Sequence, residues 1–231
     1  MIITDTFEAA FLSSCFSIIN TPDFSVDSRI GDTLEKINLS YCVKDMKSYI
    51  FENKQIGRLT YEYAEEFYNW MIKGCVDDSR LLEKYPQVAR FLAKPTSPDL
   101  PANFNTFYGP RILTQLPAVI KELKSNNNTR RAVISILSAE DLLLLDKDES
   151  LEFPCCDSAT FFIRNNKLHV QLHMRSQNMG QVLKLVMYLW GRFTVELAEQ
   201  LGLETGNFYS SIVSAHIYNK DIEYLKGLLN G

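Results

Sequence analysis

The sequence predicts an α+β fold, and three observations carry that expectation. Residues 168–174 alternate apolar Leu168, Val170, Leu172 and Met174 with His169, Gln171 and His173, the period of a half-buried strand. Residues 159–164 form a second strand-like run, joined to the first through Asn165-Asn166, a pair suited to a hairpin turn. Residues 182–201 read as a buried central helix, and the strands mix with long helices without the regular alternation of repeated βαβ units.

In chain order, residues 4–19 combine apolar and small side chains in the manner of a helix, ended at Thr21-Pro22 because proline disfavours continuation. Residues 33–43 form a strand in which Leu34, Ile37, Leu39 and Tyr41 alternate only in part. Residues 61–73, rich in aromatic and acidic side chains, are a helix closed by Gly74. Prolines 95, 98 and 101 mark a loop leading into residues 103–109. A helix covers 112–124, and the run Asn126-Asn127-Asn128 breaks it. The β-branched stretch 132–137 is a strand. After the hairpin and the central helix, which Gly202 closes, residues 207–214 return as a strand and 220–229 form an amphipathic helix. No internal repeat or low-complexity segment appears, and residues 1–231 are expected to form one domain.

Composition narrows the function. Of 231 residues 46% are hydrophobic and 23% charged, enough apolar material for one large core. A net charge of -4 argues against a protein that coats nucleic acid through a broadly basic surface. No apolar run approaches the roughly 20 residues that span a bilayer, and no basic region precedes a hydrophobic one at Met1-Ile2-Ile3. The expected location is the cytoplasm, away from membranes. Five cysteines without the spacing of a disulfide framework or zinc ribbon suit a reducing compartment, and no metal is expected. The glycosylation sequons at Asn38 and Asn127 carry no weight there.

Standard short motifs for phosphate loops or zinc proteases are absent, so recognition rests on a longer pattern. Phe153-Pro154-Cys155-Cys156 is followed by Phe161-Phe162, then by Gln171-Leu172-His173-Met174-Arg175-Ser176, and later by Ser214-Ala215-His216-Ile217-Tyr218. Upstream lie Arg29-Ile30-Gly31-Asp32-Thr33-Leu34, Glu65-Glu66 leading to Trp70-Met71-Ile72-Lys73-Gly74, Tyr108-Gly109, and Thr129-Arg130-Arg131 with Glu140-Asp141-Leu142. In order and spacing this series resembles the thymidylate synthase superfamily through most of the chain. The resemblance implies a mixed sheet packed with helices, one face of the sheet forming a homodimer interface with shared active sites. It implies transfer of a one-carbon unit from methylene-tetrahydrofolate, or a related pterin, to C5 of a pyrimidine nucleotide monophosphate. Catalytic roles fall on Cys155, Glu66 and Tyr108. By the same resemblance, Arg29, Arg175 and Ser176 are expected to grip the phosphate from one subunit, and Arg130 and Arg131 to reach in from its partner. Asn178, His216 and Tyr218 bind sugar and base.

The chemistry explains why these residue types are needed. A pyrimidine is a poor nucleophile at C5 until something adds to C6, and a thiolate both adds and leaves well. Cys155 supplies the thiol, and Arg175, brought near by the hairpin, supplies positive charge that favours the thiolate. His216 and Tyr218, two apart on a strand, share a face. By resemblance, Glu66 matches the superfamily's glutamate that orders water and moves protons at the base, work that suits a partly desolvated carboxylate.

Several positions depart from the superfamily pattern. Cys156 stands where a histidine usually follows the nucleophile, and Asn178 and Ser214 stand in place of aspartates. Met174-Arg175-Ser176 and Ser214-Ala215-His216 tilt the resemblance toward the pyrimidine nucleotide hydroxymethylases, hence toward a hydroxymethyl product. The base-reading Asn or Asp is expected near Val186 or Met187, and neither can hydrogen-bond a pyrimidine edge. Either another residue reads the base, with Gln181 the candidate, or the substrate is not a standard uracil or cytosine nucleotide. The sequence ends thirteen residues after Tyr218, without a counterpart of the tail that closes over folate. The competing expectation is a non-catalytic nucleotide-binding or regulatory homologue that keeps the fold and phosphate site.

Overall fold

Both residues of the expected hairpin turn, Asn165 and Asn166, adopt left-handed backbone (φ 52 and 58), which asparagine tolerates better than most residues. They join two strands of a sheet seen in a computed structural model that describes residues 1–28, 31–51, 55–56, 59–74, 79–86, 92–93, 103–104, 108–139, 141 and 153–230. The first half contains β1 (Ile2–Thr4), α1 (Phe7–Asn20), β2 (Phe24–Ser28), β3 (Gly31–Val43), a 3-10 turn (Met46–Tyr49), β4 (Gln55–Ile56), β5 (Leu59–Thr60), α2 (Tyr61–Met71) and α3 (Ser79–Lys84). There follow β6 (Leu92–Ala93), β7 (Asn103–Phe104), α4 (Tyr108–Ser125), β8 (Val133–Ser135), β9 (Cys156–Arg164), β10 (Lys167–Asn178), α5 (Leu183–Leu201), β11 (Glu204–Tyr218) and α6 (Asn219–Asn230). The expected α+β fold is present: among the described residues a seven-stranded mixed sheet runs in the order β1-β3-β11-β10-β9-β8, with β2 also on β3.

Differences from the sequence expectations have local causes. The first helix begins at Phe7, not at residue 4, because the Thr6 hydroxyl accepts from the Ala9 amide and caps it, leaving residues 2–4 to pair with β3. Strand β2 has no apolar alternation to reveal it, being an almost wholly exposed edge strand. Helix α4 starts at Tyr108, four residues before the expected start, since Pro110 lies in its first turn, where no amide hydrogen is missed. The loop expected at 94–101 lies outside the described residues.

Helix α5 is buried nearly all round, including Met187, Tyr188, Trp190 and Phe193, and ends on Gly202 in the left-handed conformation (φ 68). It connects β10 to β11, which lie parallel and side by side. This crossover places the carboxyl ends of both strands at one edge of the sheet. Phe161, Val170, Leu172 and Phe208 fill the core side of the sheet, with Phe7 of α1 edge-on to Phe208 at 4.9 Å.

The alternation of buried and half-exposed residues slips partway along the sheet. On β10 the buried set changes from Leu168, Val170, Leu172 and Met174 to Gln177, and on β11 from Phe208, Ser210 and Ile212 to Ala215 and Ile217. The slip falls in one row across the sheet. Asn38 of β3, with φ 55, faces Val213, which neighbours Arg175, and β9 carries an extra residue, Asp157, opposite His173 and Met174. Beyond this row Ser176, Asn178, Ser214, His216 and Tyr218 become half-exposed.

Before the row, the half-exposed side chains include Phe162, His169 and Tyr209, whose rings stack (Phe162 to His169 5.2 Å, His169 to Tyr209 6.4 Å). His169 Nδ1 accepts from the Asn207 amide at 2.9 Å, and the ring lies flat against Gly206, where a Cβ would meet three ring atoms at 2.5–2.6 Å. Gly206→Ala is expected to displace the ring and cost about 1–3 kcal/mol of stability in denaturant melts. Burial holds the His169 pKa below its ordinary 6.5, with a backbone contact from Arg164 acting the other way. A histidine whose folded pKa is depressed contributes stability that is present above 6.5 and lost as pH falls through the folded value. Melts above and below pH 6.5 should therefore show an acid loss that His169→Gln reduces.

Candidate active site

The hairpin turns the twenty-residue separation of Cys155 and Arg175 into contact. Cys155 immediately precedes β9, which runs antiparallel to β10, so the start of one strand lies beside the end of the other. The Arg175 amide donates to the Cys155 carbonyl at 3.0 Å. The Arg175 guanidinium donates from Nε to the Pro154 carbonyl at 2.7 Å and from Nη2 to the Phe153 carbonyl at 3.0 Å. Nη2 also lies 3.9 Å from Cys155 Sγ, and the guanidinium covers the Phe153 ring at 4.7 Å. One arginine thus fastens the segment carrying Cys155 and sets its charge beside the sulfur.

The two adjacent cysteines occupy different environments. Cys155 is half-exposed, whereas Cys156 is buried, its thiol 3.7 Å from the Ser158 carbonyl. Burial, with Asp157 and Cys155 nearby, pushes the Cys156 pKa up, so it stays a neutral thiol. The Cys156 amide donates to the Tyr108 hydroxyl at 3.3 Å, which brings the start of α4 against this strand. Asp157 has its carboxyl pKa raised by burial, opposed by the charges of Arg175 and His173. Sequence reading missed it because its place in the site follows from the bulge.

Past the slipped row, parallel pairing sets Ser176 beside Ser214 and Asn178 beside His216. Ser176 Oγ and His216 Nδ1 are 3.5 Å apart, and the His216 and Tyr218 rings meet edge-on at 5.5 Å. Burial lowers the His216 pKa, as does Arg175, while the Ser214 backbone and Glu35 raise it. Glu35 stands opposite His216 on β3 and hydrogen-bonds Ser214 Oγ. No motif marks Glu35, since only the β3–β11 register brings it here.

Cys155, Tyr108, Arg175, Ser176, Asn178, His216 and Tyr218 therefore gather at one edge of the sheet. Others do not join them within one chain. The Phe161 amide bonds the Ala132 carbonyl, so Arg130 and Arg131 lie at the far end of β9, about 20 Å from Cys155 along the strand. Both are exposed, and Arg131 is paired with Glu122 at 3.1 Å. Glu66 on α2 is held by Arg80 at 2.9 Å and Lys84 at 3.5 Å. Arg29, Glu140 and Leu142 lie outside the described residues. Asp141 is buried and forms a two-pronged pair with Arg111 at 2.7 Å. Val186 and Met187 are buried in α5, and Gln181 donates from Nε2 to Asp221 at 2.8 Å. The Asn178 side-chain oxygen accepts from the Gln181 amide at 3.1 Å.

Among the described residues no helix is long and apolar enough to cross a membrane. Residues 32–230 match the family model described as thymidylate synthase. A thymidylate synthase of Listeria monocytogenes serovar 1/2a (strain ATCC BAA-679 / EGD-e) is 27% identical over 156 residues, 67% of this chain and 46% of that protein. One from Listeria monocytogenes serotype 4a (strain HCC23) is 30% identical over 119 residues, 51% of this chain and 36% of that protein. The thymidylate synthase of Ascaris suum is 31% identical over 116 residues, 50% of this chain and 38% of that protein. The chain thus matches less than half the length of each of these relatives.

Proposed function

The chain belongs to the thymidylate synthase family, and from that membership we propose that it transfers a one-carbon unit to C5 of a pyrimidine nucleotide monophosphate through a covalent adduct at Cys155. The observation that carries this reading is a half-exposed cysteine with a guanidinium 3.9 Å from its sulfur, at the edge where Ser176, Asn178, His216 and Tyr218 gather. In the proposed reaction the Cys155 thiolate adds to C6 and places electron density on C5. Methylene-tetrahydrofolate, or a related pterin, is the second substrate and supplies the one-carbon unit. Loss of the C5 proton and then expulsion of the thiolate from C6 return the enzyme. Between these steps the bond from the transferred carbon to the pterin nitrogen breaks and the pterin departs. Hydride from that tetrahydropterin, which leaves as the dihydro form, then gives a methyl product, or addition of water a hydroxymethyl one, and either addition expels the Cys155 thiolate.

In this reading Arg175 favours the thiolate and, with Ser176 and Arg29, binds the phosphate. Tyr108 and Glu66 serve the transfer, and Asn178, His216 and Tyr218 bind sugar and base. The test is release of C5 hydrogen from dUMP, dCMP, UMP and CMP with methylene-tetrahydrofolate. Release from one of them is expected; silence with all four would sink the proposal. The buried, apolar Val186 and Met187 favour one alternative, a nucleotide-binding homologue without turnover, which that silence together with retained nucleotide binding would identify.

The position of Arg130 and Arg131, about 20 Å from their own Cys155, supports a homodimer in which they complete the partner's site. Exposed Val133 and Val213 and the stacked Phe162, His169 and Tyr209 are the side chains for such an interface. Subunit mixing checks this directly. Cys155→Ser and the double variant Arg130→Ala, Arg131→Ala should each be inactive alone, yet an equal mixture should recover about a quarter of wild-type activity, since half the dimers carry one intact site. No recovery after confirmed subunit exchange excludes shared sites.

A further inference from the structure

Glu35 belongs to the polar row beyond the slip, yet none of the roles above uses it. It faces His216 directly across β3 and β11, and its carboxylate reaches diagonally to accept the hydrogen of Ser214 Oγ. Ser214 and His216 are two apart on β11 and lie on one side of the strand. The carboxylate is thus held by the residue flanking the imidazole, and among the described residues it forms no ion pair. On the other side of the ring, Ser176 Oγ sits 3.5 Å from Nδ1. The charged groups acting on the imidazole are Glu35 from β3 and Arg175 from β10, and they act in opposite directions. A hydroxyl-anchored carboxylate one strand over from a half-exposed imidazole biases, through its charge and alongside the Ser214 backbone, the orientation of the ring and the nitrogen that carries the proton.

We propose that Glu35 is a positioning residue, anchored on Ser214, that holds the His216 imidazole so that it offers an N–H to a hydroxyl of the bound nucleotide's sugar. This rests on the reading of the site as nucleotide-binding. Glu35 itself need not touch the ligand. Its removal should weaken binding only where the ligand carries the hydroxyl that His216 meets, a selectivity that general damage to the sheet does not produce.

The test has two arms, both on the full chain. In the free protein, nitrogen-15 NMR of the His216 ring in Glu35→Gln should show titration at a lower pH than in wild type, because a neighbouring negative charge is gone. Adding Ser214→Asp to Glu35→Gln returns a carboxylate to the row and should bring the titration back up. In the second arm, calorimetry compares deoxyuridine monophosphate with its 2′,3′-dideoxy analogue. Glu35→Gln should weaken the former about tenfold and the latter less than about twofold. An unchanged His216 titration, or equal loss with both nucleotides, overturns the positioning role. Absence of C5 hydrogen release by wild type, with both arms behaving as stated, refutes the enzyme reading and leaves this one standing. If wild type binds neither nucleotide, the sugar contact is refuted, whatever the NMR arm says of Glu35 and His216.

Discussion

Cys155→Ser is expected to lower C5 hydrogen release by about four orders of magnitude or more, while leaving the fold and nucleotide binding close to wild type. A serine hydroxyl ionises far above neutral pH, and the guanidinium at 3.9 Å from Sγ cannot make up that difference. Because Cys155 is half-exposed, the loss of one sulfur atom disturbs little packing. Cys156→Ser should behave in the opposite way. Its side chain is buried against the sheet, so the change introduces a polar group there and costs about 1–3 kcal/mol of stability without removing the nucleophile. Turnover and melting temperature measured on both variants separate the two thiols. A Cys155→Ser protein that retained full turnover would reassign the nucleophile.

Arg175→Ala should reduce turnover about 100- to 1000-fold, raise KM for the nucleotide and soften the protein locally. Three links are cut together: the charge beside Cys155 Sγ, the hydrogen bonds to the Pro154 and Phe153 carbonyls, and the cover over the Phe153 ring. Arg175→Lys restores charge but not the planar fork that spans two carbonyls and the sulfur, so it should recover only part of the rate. The diagnostic measurement is alkylation of Cys155 against pH. Removing a cation disfavours the thiolate, so the midpoint should move to higher pH in Arg175→Ala and return most of the way in Arg175→Lys. An unmoved midpoint would leave Arg175 a structural clamp only.

The sequence disclosed the parts of this protein that are periodic or contiguous. The alternation of 168–174, the Asn165-Asn166 turn and the long apolar helix all correspond to observed elements because each depends on local preferences. The α+β class followed from them. The relation between β10 and β11 was less visible, since parallel pairing across a helical crossover leaves no short-range mark, and it is what sets Asn178 beside His216. Glu35 and Asp157 escaped for the same reason: one is placed by the register of β3, the other by a bulge. The exposed edge strand β2 was silent because it has little apolar surface to pattern. Conversely, Arg130 and Arg131 stood out in the sequence, although within one chain the fold carries them away from Cys155.

The slipped row through Asn38, Val213, Arg175 and Asp157 has an evolutionary consequence. On either side of it, a single strand offers different neighbours to selection. Substitutions at Phe162, His169 or Tyr209 act on the stacked surface, while those at Ser176, Asn178, His216 or Tyr218 act on the polar edge. A lineage can therefore remodel the stacked surface and the polar edge as nearly independent traits on one framework. Insertion or deletion of one residue within the row would couple them again, by turning the polar edge over, and descendants should show substitutions there far more often than changes in length.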